Sequence, residues 1–419
     1  MTVLDHTTGT GSVLAGDAID VTLADLHDWH AELRAQFPIL TANPHTAYLD
    51  SSATAQKPQA VLDAVHHYLT TTNANAGRGT YPWATTTTAQ VEATAERIKE
   101  HLHDPDPATS TVHLVPGTSA GLRAVATDWL TGWLTDGDEI IVPFADHQAN
   151  AQPWLEAQQL LARRGIRITV HELPYETASG DYDDVALAAM VTDRTRLVAV
   201  THVHHVYGAH MNVDRIRRAV GPDVVVCLDA AQSVGHMPVS VAGLDVDVLV
   251  FSGHKAMALP GVGAVWCRGT RAPAFAPAGW PGSPNTVGAV SLCAALSWLD
   301  QAGLDRIDRW TVALGARLTD ALHHLDGFEV LGCQASLAAT STVQRRQGIV
   351  SFRHHTIDAA DLGFILTDHG LLVRADHHCQ AGAGERDGSV RVSTHAYTAV
   401  DEIDHLIHVL TDLDRGAYR

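Results

Sequence analysis

The chain has 419 residues, a length that predicts two or three domains. Hydrophobic residues make up 46% of it and charged residues 18%, so the chain can bury a large core and is not expected to be disordered. The formal net charge of −19 argues against a nucleic-acid-binding protein, which would carry a basic patch.

Two further features bear on the cellular compartment. The five cysteines are scattered and odd in number, a pattern that does not predict a disulfide framework. No apolar run approaches the roughly 20 residues of a membrane span, and the N-terminal segment lacks the basic and apolar regions of a secretory signal. We therefore expect a cytoplasmic enzyme that contacts neither nucleic acid nor a membrane.

In chain order, residues 1–19 are polar and are expected to be flexible. From about residue 45 to residue 270, short apolar runs alternate with helical patterns, which is typical of a mostly parallel sheet covered on both faces. The predicted strands are Thr111–Val115, Asp138–Val142, Arg167–His171, Arg196–Thr201, Val224–Asp229, Val246–Phe251 and Gly263–Cys267. We therefore predict an α/β fold whose large domain is built on a mostly parallel seven-stranded sheet.

The second half of the chain alternates less regularly. A Pro/Gly-rich stretch, Arg271–Pro284, predicts a linker. Beyond it the predicted elements are helices at Val287–Ala302, Arg309–Leu325 and Val400–Leu413 and strands at Gly348–Phe352 and Ser389–Val392. This pattern predicts a large domain over residues 45–285 and a smaller α+β domain made of residues 20–44 and 286–419.

Two of the predicted strands end in residues with reactive side chains. Asp229 ends one strand, and Lys255 follows the next one along the chain. Ligands of open α/β sheets bind beyond the carboxyl ends of the strands, so we expect both side chains to face one crevice. A pyridoxal phosphate (PLP) site needs such a pair, a lysine for the Schiff base and a carboxylate that holds the pyridine nitrogen protonated. The alternative is a structural salt bridge.

Three further segments could complete such a site. Gly117-Thr118-Ser119 follows a strand and opens a helix, where glycine, hydroxyl groups and backbone N–H groups can bind phosphate. An ordinary helix N-cap is the alternative. Ser252 and His254 flank Lys255 and could donate to the same phosphate, and His147, just past a strand, could stack on a cofactor ring or be an ordinary loop histidine.

Six segments with characteristic residues appear in one order: Tyr48–Pro58, His147–Asn150, Leu228–Gln232, Phe251–Lys255, Gly282–Thr286 and Arg374–Cys379. Together they resemble the cysteine desulfurase/selenocysteine lyase family, which belongs to the class V aminotransferase group of fold type I PLP enzymes. The resemblance covers roughly residues 30–413. It implies PLP as the cofactor, an amino acid as the substrate and a homodimer as the assembly.

The resemblance also implies roles around the cofactor. Lys255 would bind it covalently, Asp229 would pair with the pyridinium nitrogen, and His147 would stack over the ring. Gln232 would bond the phenolic oxygen, and the position of His205 usually contacts cofactor and substrate. The implied phosphate ligands are Thr118, Ser119, Ser252 and His254, with Ser283 reaching in from the partner subunit.

For the substrate, the resemblance implies that Arg391 clamps the α-carboxylate, which suits the bidentate geometry of a guanidinium. A surface strand arginine is the alternative. Arg374, Asn150 and Arg78 lie in motifs that would complete the substrate pocket.

Cys379 bears most directly on the reaction. In the family, a cysteine after Arg-x-x-His-His takes up sulfur as a persulfide, which is then passed to a sulfur-acceptor protein. This chemistry needs a thiolate, whose pKa the neighbouring histidines and Arg374 could lower. Residues 376–379 are all metal-ligand types, but adjacent residues rarely converge on one ion, so we expect no metal.

The chain departs from the family pattern around the substrate. His205 replaces an asparagine, and Gly77-Arg78-Gly79 lacks the histidine that usually precedes the arginine. The segments 270–281 and 379–391 are short. A cysteine desulfurase-like enzyme is the first hypothesis. The second is a class V PLP lyase, aminotransferase or epimerase of a specialised biosynthetic pathway that does not use Cys379 as nucleophile. The third, a cofactor-free binding protein, is disfavoured by the presence of Lys255, Asp229 and Arg391.

Overall fold

The computed structural model describes residues 16–176, 180–269, 282–332, 346–380 and 388–416. Its helices are Gly16–Asp25 (α1), His27–Arg34 (α2), Pro38–Ala42 (α3), Gln59–Thr71 (α4), Pro82–His101 (α5), Thr118–Arg123 (α6), Gln152–Arg163 (α7), Asp184–Met190 (α8), Val213–Val220 (α9), Val241–Leu244 (α10), Thr286–Ala302 (α11), Leu304–His323 (α12), Ala359–Asp368 (α13) and Val400–Asp414 (α14). Its strands are Ala47–Tyr48 (β1), Thr111–Val115 (β2), Glu139–Val142 (β3), Thr169–Glu172 (β4), Tyr175–Glu176 (β5), Asp181–Tyr182 (β6), Thr195–Thr201 (β7), Val225–Asp229 (β8), Val248–Ser252 (β9), Gly263–Cys267 (β10), Phe328–Val330 (β11), Ile349–His354 (β12), Leu371–Leu372 (β13), Arg374–Asp376 (β14) and Ser389–Ser393 (β15).

A seven-stranded sheet forms the centre of the fold, in the order β2-β10-β9-β8-β7-β3-β4. Neighbouring strands from β9 to β4 run parallel, whereas β10 runs antiparallel to both β9 and β2. Every residue of β8, β9 and β10 is buried, as expected for central strands covered on both faces. The predicted α/β fold with a mostly parallel seven-stranded sheet is confirmed.

Close packing of α6 on this sheet positions the loop that precedes the helix. A side chain on Gly121 would place its Cβ 2.5 Å from Val250 Cγ1 and 2.9 Å from Val265 Cγ2. The glycine therefore lets the helix approach the sheet closely. The chain continues beyond α6 as a π-helical turn, Ala124–Trp129, and a 3₁₀ turn, Leu130–Gly132.

A second, four-stranded sheet has the order β11-β12-β15-β14 and is antiparallel throughout. Residues of this sheet pack in one buried cluster with residues of α12, α13 and α14, which is the α+β arrangement expected for the second half of the chain. The domain boundaries proposed from the sequence stay a prediction. The two-stranded parallel pair β1–β13 brings the segment that follows residue 48 close to this second sheet.

The N-terminal segment that the sequence predicts as flexible lies outside the described residues up to position 15. Helix α1 begins at Gly16, and Ile19 and Leu23 are buried in the cluster of the second sheet. The predicted linker also lies outside the described residues, except for its last three positions. No single helix in the described ranges is long and apolar enough to cross a membrane, and α11 and α12, bent by 78° at their junction, meet the criterion only as a pair.

Candidate active site

A cavity of about 240 Å³ opens beyond the carboxyl ends of β7, β8 and β9. Parallel strands bring their carboxyl ends to the same edge of a sheet, which is where ligands of open α/β sheets bind. Most of the residues that line the cavity are polar or charged, and its apolar residues are small: Ala53, Ala149, Val203 and Ala231. The cavity therefore suits a small polar ligand.

Lys255 and Asp229 both line this cavity. Asp229 is the last residue of β8, and Lys255 ends a short 3₁₀ turn that follows β9. Burial lowers the pKa of Lys255 to about 8, although Asp229 acts in the opposite direction. Burial raises the pKa of Asp229 to about 6, against a hydrogen bond from the Ala231 N–H and the attraction of Lys255. Neither charge is fully compensated, so the pair can accept a charged ligand.

Hydroxyl groups line one end of the cavity. Ser252 Oγ accepts a hydrogen bond from the Thr118 N–H and lies 2.8 Å from Thr118 Oγ1. A Cβ on Gly117 would come within 3.2 Å of Ser252 Oγ, so a side chain there would crowd this end. Ser119 and His254 complete it, and burial, together with the charge of Lys255, lowers the pKa of His254 to about 4. These groups form an uncharged, donor-rich cradle that suits a phosphate.

Two imidazole rings form another wall of the cavity. The rings of His147 and His205 meet edge to face, with centroids 4.9 Å apart. His147 Nδ1 accepts the Ala149 N–H, so the proton of the neutral ring is on Nε2. Burial lowers the pKa of His147 to about 4, and that of His205 falls well below its ordinary value. Both rings are therefore neutral near pH 7.

Two arginines from the second sheet reach the cavity. Arg374 in β14 and Arg391 in β15 are cross-strand partners, and both line the cavity. Arg391, only 2% exposed, donates to Asp50 Oδ1 and to the His205 carbonyl at 3.0 and 3.1 Å. These contacts orient its guanidinium. Burial raises the pKa of Asp50 and Arg391 lowers it. The effect of burial is larger, so the pKa of Asp50 lies above its ordinary value.

Cys379 lies beside the cavity and is not one of its lining residues in the described part of the chain. Its Sγ is 3.5 Å from Arg374 Nη2, and its carbonyl accepts the Gln148 N–H at 3.1 Å. The next residue, Gln380, forms an isolated antiparallel bridge with His147. Cys379 therefore contacts an arginine of the cavity, and the residue that follows it pairs with His147, the candidate stacking histidine.

Three residues singled out from the sequence lie outside the cavity of the single chain. Asn150 is fully buried and bonds within the fold, because its amide donates to the Val200 carbonyl and its Oδ1 accepts from Trp154. Arg78 and Ser283 are exposed. Apart from Cys379, the other eleven site residues predicted from the sequence all line the cavity: Thr118, Ser119, His147, His205, Asp229, Gln232, Ser252, His254, Lys255, Arg374 and Arg391.

Several residues that the structure places at the cavity were not predicted to lie there, and His378 was considered only as a neighbour of Cys379. Ser52, Thr201 and His378 line the cavity, and Asp50 pairs with Arg391. Ser52 and Asp50 lie in the first of the six characteristic segments and His378 in the last. Membership in those segments was the available signal, since no local pattern indicates which side chains face inward.

The unsatisfied polar atoms around the cavity test whether PLP fits. Within the described ranges, the buried atoms of cavity-lining residues that have no hydrogen-bond partner include Ser52 Oγ, Gln232 Oε1, both ring nitrogens of His205 and Arg391 Nε. Buried polar groups are normally satisfied, so these atoms are available to a ligand. An amine, a buried carboxylate, a hydroxyl-lined cradle and a guanidinium match the aldehyde, pyridine nitrogen and phosphate of PLP and the carboxylate of an amino acid.

By fold and by cavity, the chain is an α/β enzyme of the PLP-dependent class. The family model described as Aminotransferase class-V matches residues 47–406. A probable cysteine desulfurase from Vibrio cholerae is 30% identical, over 91% of this chain and 98% of the relative. A cysteine desulfurase from Cronobacter sakazakii is 32% identical, over 92% and 98%. The chain therefore belongs to the class V aminotransferase family, within its cysteine desulfurase branch, whose members depend on PLP.

Solved structures agree with this placement. The apo structure of a cysteine desulfurase from Thermococcus onnurineus has a TM-score of 0.80 at 25% identity and covers 92% of this chain and 98% of its own. The cysteine desulfurase CsdA from Escherichia coli has a TM-score of 0.77 at 28% identity, over 93% and 98%. The similarity thus extends over both sheets of the fold.

Proposed function

We propose that the protein is a PLP-dependent enzyme that removes sulfur from cysteine. The observation that carries this proposal is one cavity that holds Lys255, Asp229 and Arg391. In this arrangement Lys255 binds the cofactor, Asp229 pairs with its ring nitrogen, and Arg391 binds the α-carboxylate of the amino acid. PLP, when bound, withdraws electrons from the amino acid and so weakens the bonds around its α- and β-carbons.

The remaining cavity residues take supporting roles in the proposal. His147 stacks on the ring, while Gln232 and His205 offer hydrogen bonds to cofactor and substrate. Arg374 adds positive charge near the substrate. The proposed phosphate ligands are Thr118, Ser119, Ser252 and His254, which already form a hydroxyl- and imidazole-lined cradle.

Cys379 is the proposed sulfur acceptor. Cysteine and the Cys379 thiol would give alanine and a Cys379 persulfide: the substrate C–S bond breaks, an S–S bond forms, and one thiol proton ends on the alanine methyl group. Carbon is reduced while the two sulfurs are oxidised, so no external oxidant is needed. The contact between Cys379 Sγ and Arg374 supports this role, because it places the thiol beside a residue that lines the cavity.

Assembly and location follow as further proposals. Tyr81 and Trp83 are 54% and 58% exposed, which suits burial against a second copy. Arg78 and Ser283, exposed on the single chain, would then act at the cavity of the partner subunit, and we infer a homodimer. Asn150 is proposed to support the substrate pocket from beneath. We also infer a cytoplasmic enzyme that passes sulfur to an acceptor protein.

A second candidate function is a class V lyase, aminotransferase or epimerase that does not use Cys379. Two features favour it: Cys379 lies beside the cavity and not in its lining, and His205 occupies the position where the family pattern that the sequence resembles has an asparagine. In that case His205 could serve as an acid or base.

The test begins with the visible absorption of the purified protein and of Lys255→Ala. We expect a PLP absorption band in the wild type and its loss in Lys255→Ala. If a folded wild-type protein shows no PLP band, both candidate functions are excluded. Wild type supplied with cysteine and a reductant should form alanine and sulfide. Loss of this activity in Cys379→Ser supports the desulfurase, whereas full turnover in Cys379→Ser favours the second candidate.

A further inference from the structure

The turn that carries Cys379 has an unusual backbone. His378 and Cys379 both adopt positive φ angles, 53° and 58°, in the left-handed region. Residues other than glycine adopt this region rarely and persist there only where surrounding contacts enforce it. Two such residues in succession therefore require contacts that hold the turn.

The His378 side chain supplies the contacts on the side of the second sheet. The ring is 2% exposed, and its Nε2 lies 2.8 Å from Ser389 Oγ. Its Nδ1 lies 3.0 Å from Asp376 Oδ1 but makes no hydrogen bond there, whereas the His378 backbone N–H donates to the same oxygen. Asp376 and Ser389 face each other as cross-strand partners of β14 and β15, and Arg374 Nε donates to both oxygens of Asp376. The ring thus ties the turn to the end of the strand pair.

Contacts with the large sheet's loops hold the other side of the turn. The Cys379 carbonyl accepts the Gln148 N–H. The Gln380 amide donates to the Ala145 carbonyl and to Tyr207 Oη, both at 3.2 Å. The turn therefore spans the two sheets. On the side of the second sheet it is held by the His378 ring and by the contact of Cys379 Sγ with Arg374.

The same contacts argue against a direct proton-transfer role for His378. Its two ring nitrogens are next to Ser389 and Asp376, whereas the thiol of Cys379 lies next to Arg374. We propose that His378 is a positioning residue: its ring, held between Asp376 and Ser389, keeps Cys379 in the left-handed conformation that places the thiol beside Arg374. The consequence for turnover rests on the proposed function, while the positioning itself does not.

The experiment compares His378→Ala with His377→Ala, the exposed histidine one position earlier, in the full-length holoenzyme. The first readout is the rate at which iodoacetamide alkylates Cys379, measured by peptide mass spectrometry without substrate. The second is the rate of persulfide formation on Cys379 in a single turnover with cysteine. Misplacing a reacting group by about 1 Å can cost on the order of 100-fold.

For His378→Ala we expect alkylation to rise several-fold, because the half-buried thiol is released, and persulfide formation to fall by roughly 10- to 100-fold. The KM for cysteine should change by less than about threefold, since Arg391 is untouched. His378→Asn should recover part of the loss, because asparagine tolerates the left-handed region and its side-chain amide reaches about as far as Nδ1, the ring nitrogen beside Asp376. His377→Ala should match the wild type in both rates.

The inference is overturned if folded His378→Ala matches His377→Ala in both rates. If His378→Ala does not fold, Ser389→Ala carries the test, since it removes the partner of Nε2: a smaller change in the same directions supports the inference, and wild-type rates refute it. If Cys379→Ser still forms alanine, Cys379 is not the sulfur acceptor and that part of the proposed function is wrong. The alkylation rate alone then tests whether His378 positions Cys379.

Discussion

The pKa of Lys255 makes a prediction about how the protein takes up its cofactor. Only an unprotonated amine can attack the PLP aldehyde. At its ordinary pKa of 10.5, about one lysine in 3,000 is unprotonated at pH 7, whereas at a pKa of about 8 the fraction is roughly one in ten. We therefore expect attachment at pH 7 to be on the order of 300-fold faster than for an exposed lysine, other factors being equal.

The assay strips PLP from the protein and follows the return of the visible band after PLP is added back at different pH values. The attachment rate should rise about tenfold per pH unit below pH 8 and level off above it. Burial is the largest cause of the lowered pKa, and the neighbouring charges modify it.

Two variants should shift the midpoint of this pH dependence in opposite directions. Asp229 raises the pKa of Lys255 and Arg374 lowers it. Asp229→Asn should therefore move the midpoint to lower pH, by about one unit, and Arg374→Gln should move it to higher pH by less. A flat rate across about pH 6–9, or a shift of both variants in the same direction, would refute the electrostatic reasoning.

Three further predictions concern the supports of the site. Asp50→Asn leaves the buried Arg391 without its carboxylate, so urea denaturation should show a loss of about 3 kcal/mol in the free energy of unfolding; an unchanged value contradicts the pairing. His205→Asn replaces ring nitrogens that bond nothing in the described fold by the amide that the family pattern has at this position. Stability should therefore change by less than about 1 kcal/mol, while the apparent Kd for PLP or the KM for cysteine shifts roughly 2- to 12-fold; a clearly larger loss of stability would contradict the absence of ring bonds within the fold. Gly121→Ala forces a Cβ to 2.5 Å from a sheet side chain and should cost about 1–3 kcal/mol, whereas Gly132→Ala, which meets nothing within 4 Å, should not; equal thermal stability of the two would refute the packing argument.

Much of the large sheet could be predicted because its strands are apolar runs bounded by polar residues. Strands β2 and β10 begin and end at the predicted residues, and β8 ends at Asp229 as expected. The antiparallel direction of β10 could not be predicted, because a strand that is buried on both faces has the same apolar composition in either direction. The convergence of Asp229 and Lys255 followed from the strand ends alone.

The contacts that the second sheet makes at the site could not be predicted from the sequence. Asp50 and Arg391 are 341 positions apart, so their pairing depends on how β15 packs against the segment after β1. The position of the His378 ring between Asp376 and Ser389 depends on the strand register that sets these two residues opposite each other. Asn150 shows the converse: it belongs to a characteristic segment, yet its side chain bonds the backbone beneath the cavity.

The most direct test of the account is peptide mass spectrometry of Cys379 after the PLP-loaded protein has been incubated with cysteine and no reductant. The account predicts that the peptide containing Cys379 gains the mass of one sulfur atom, in an amount that matches the alanine formed in the first turnover. The account is contradicted if alanine forms while the Cys379 peptide keeps its unmodified mass.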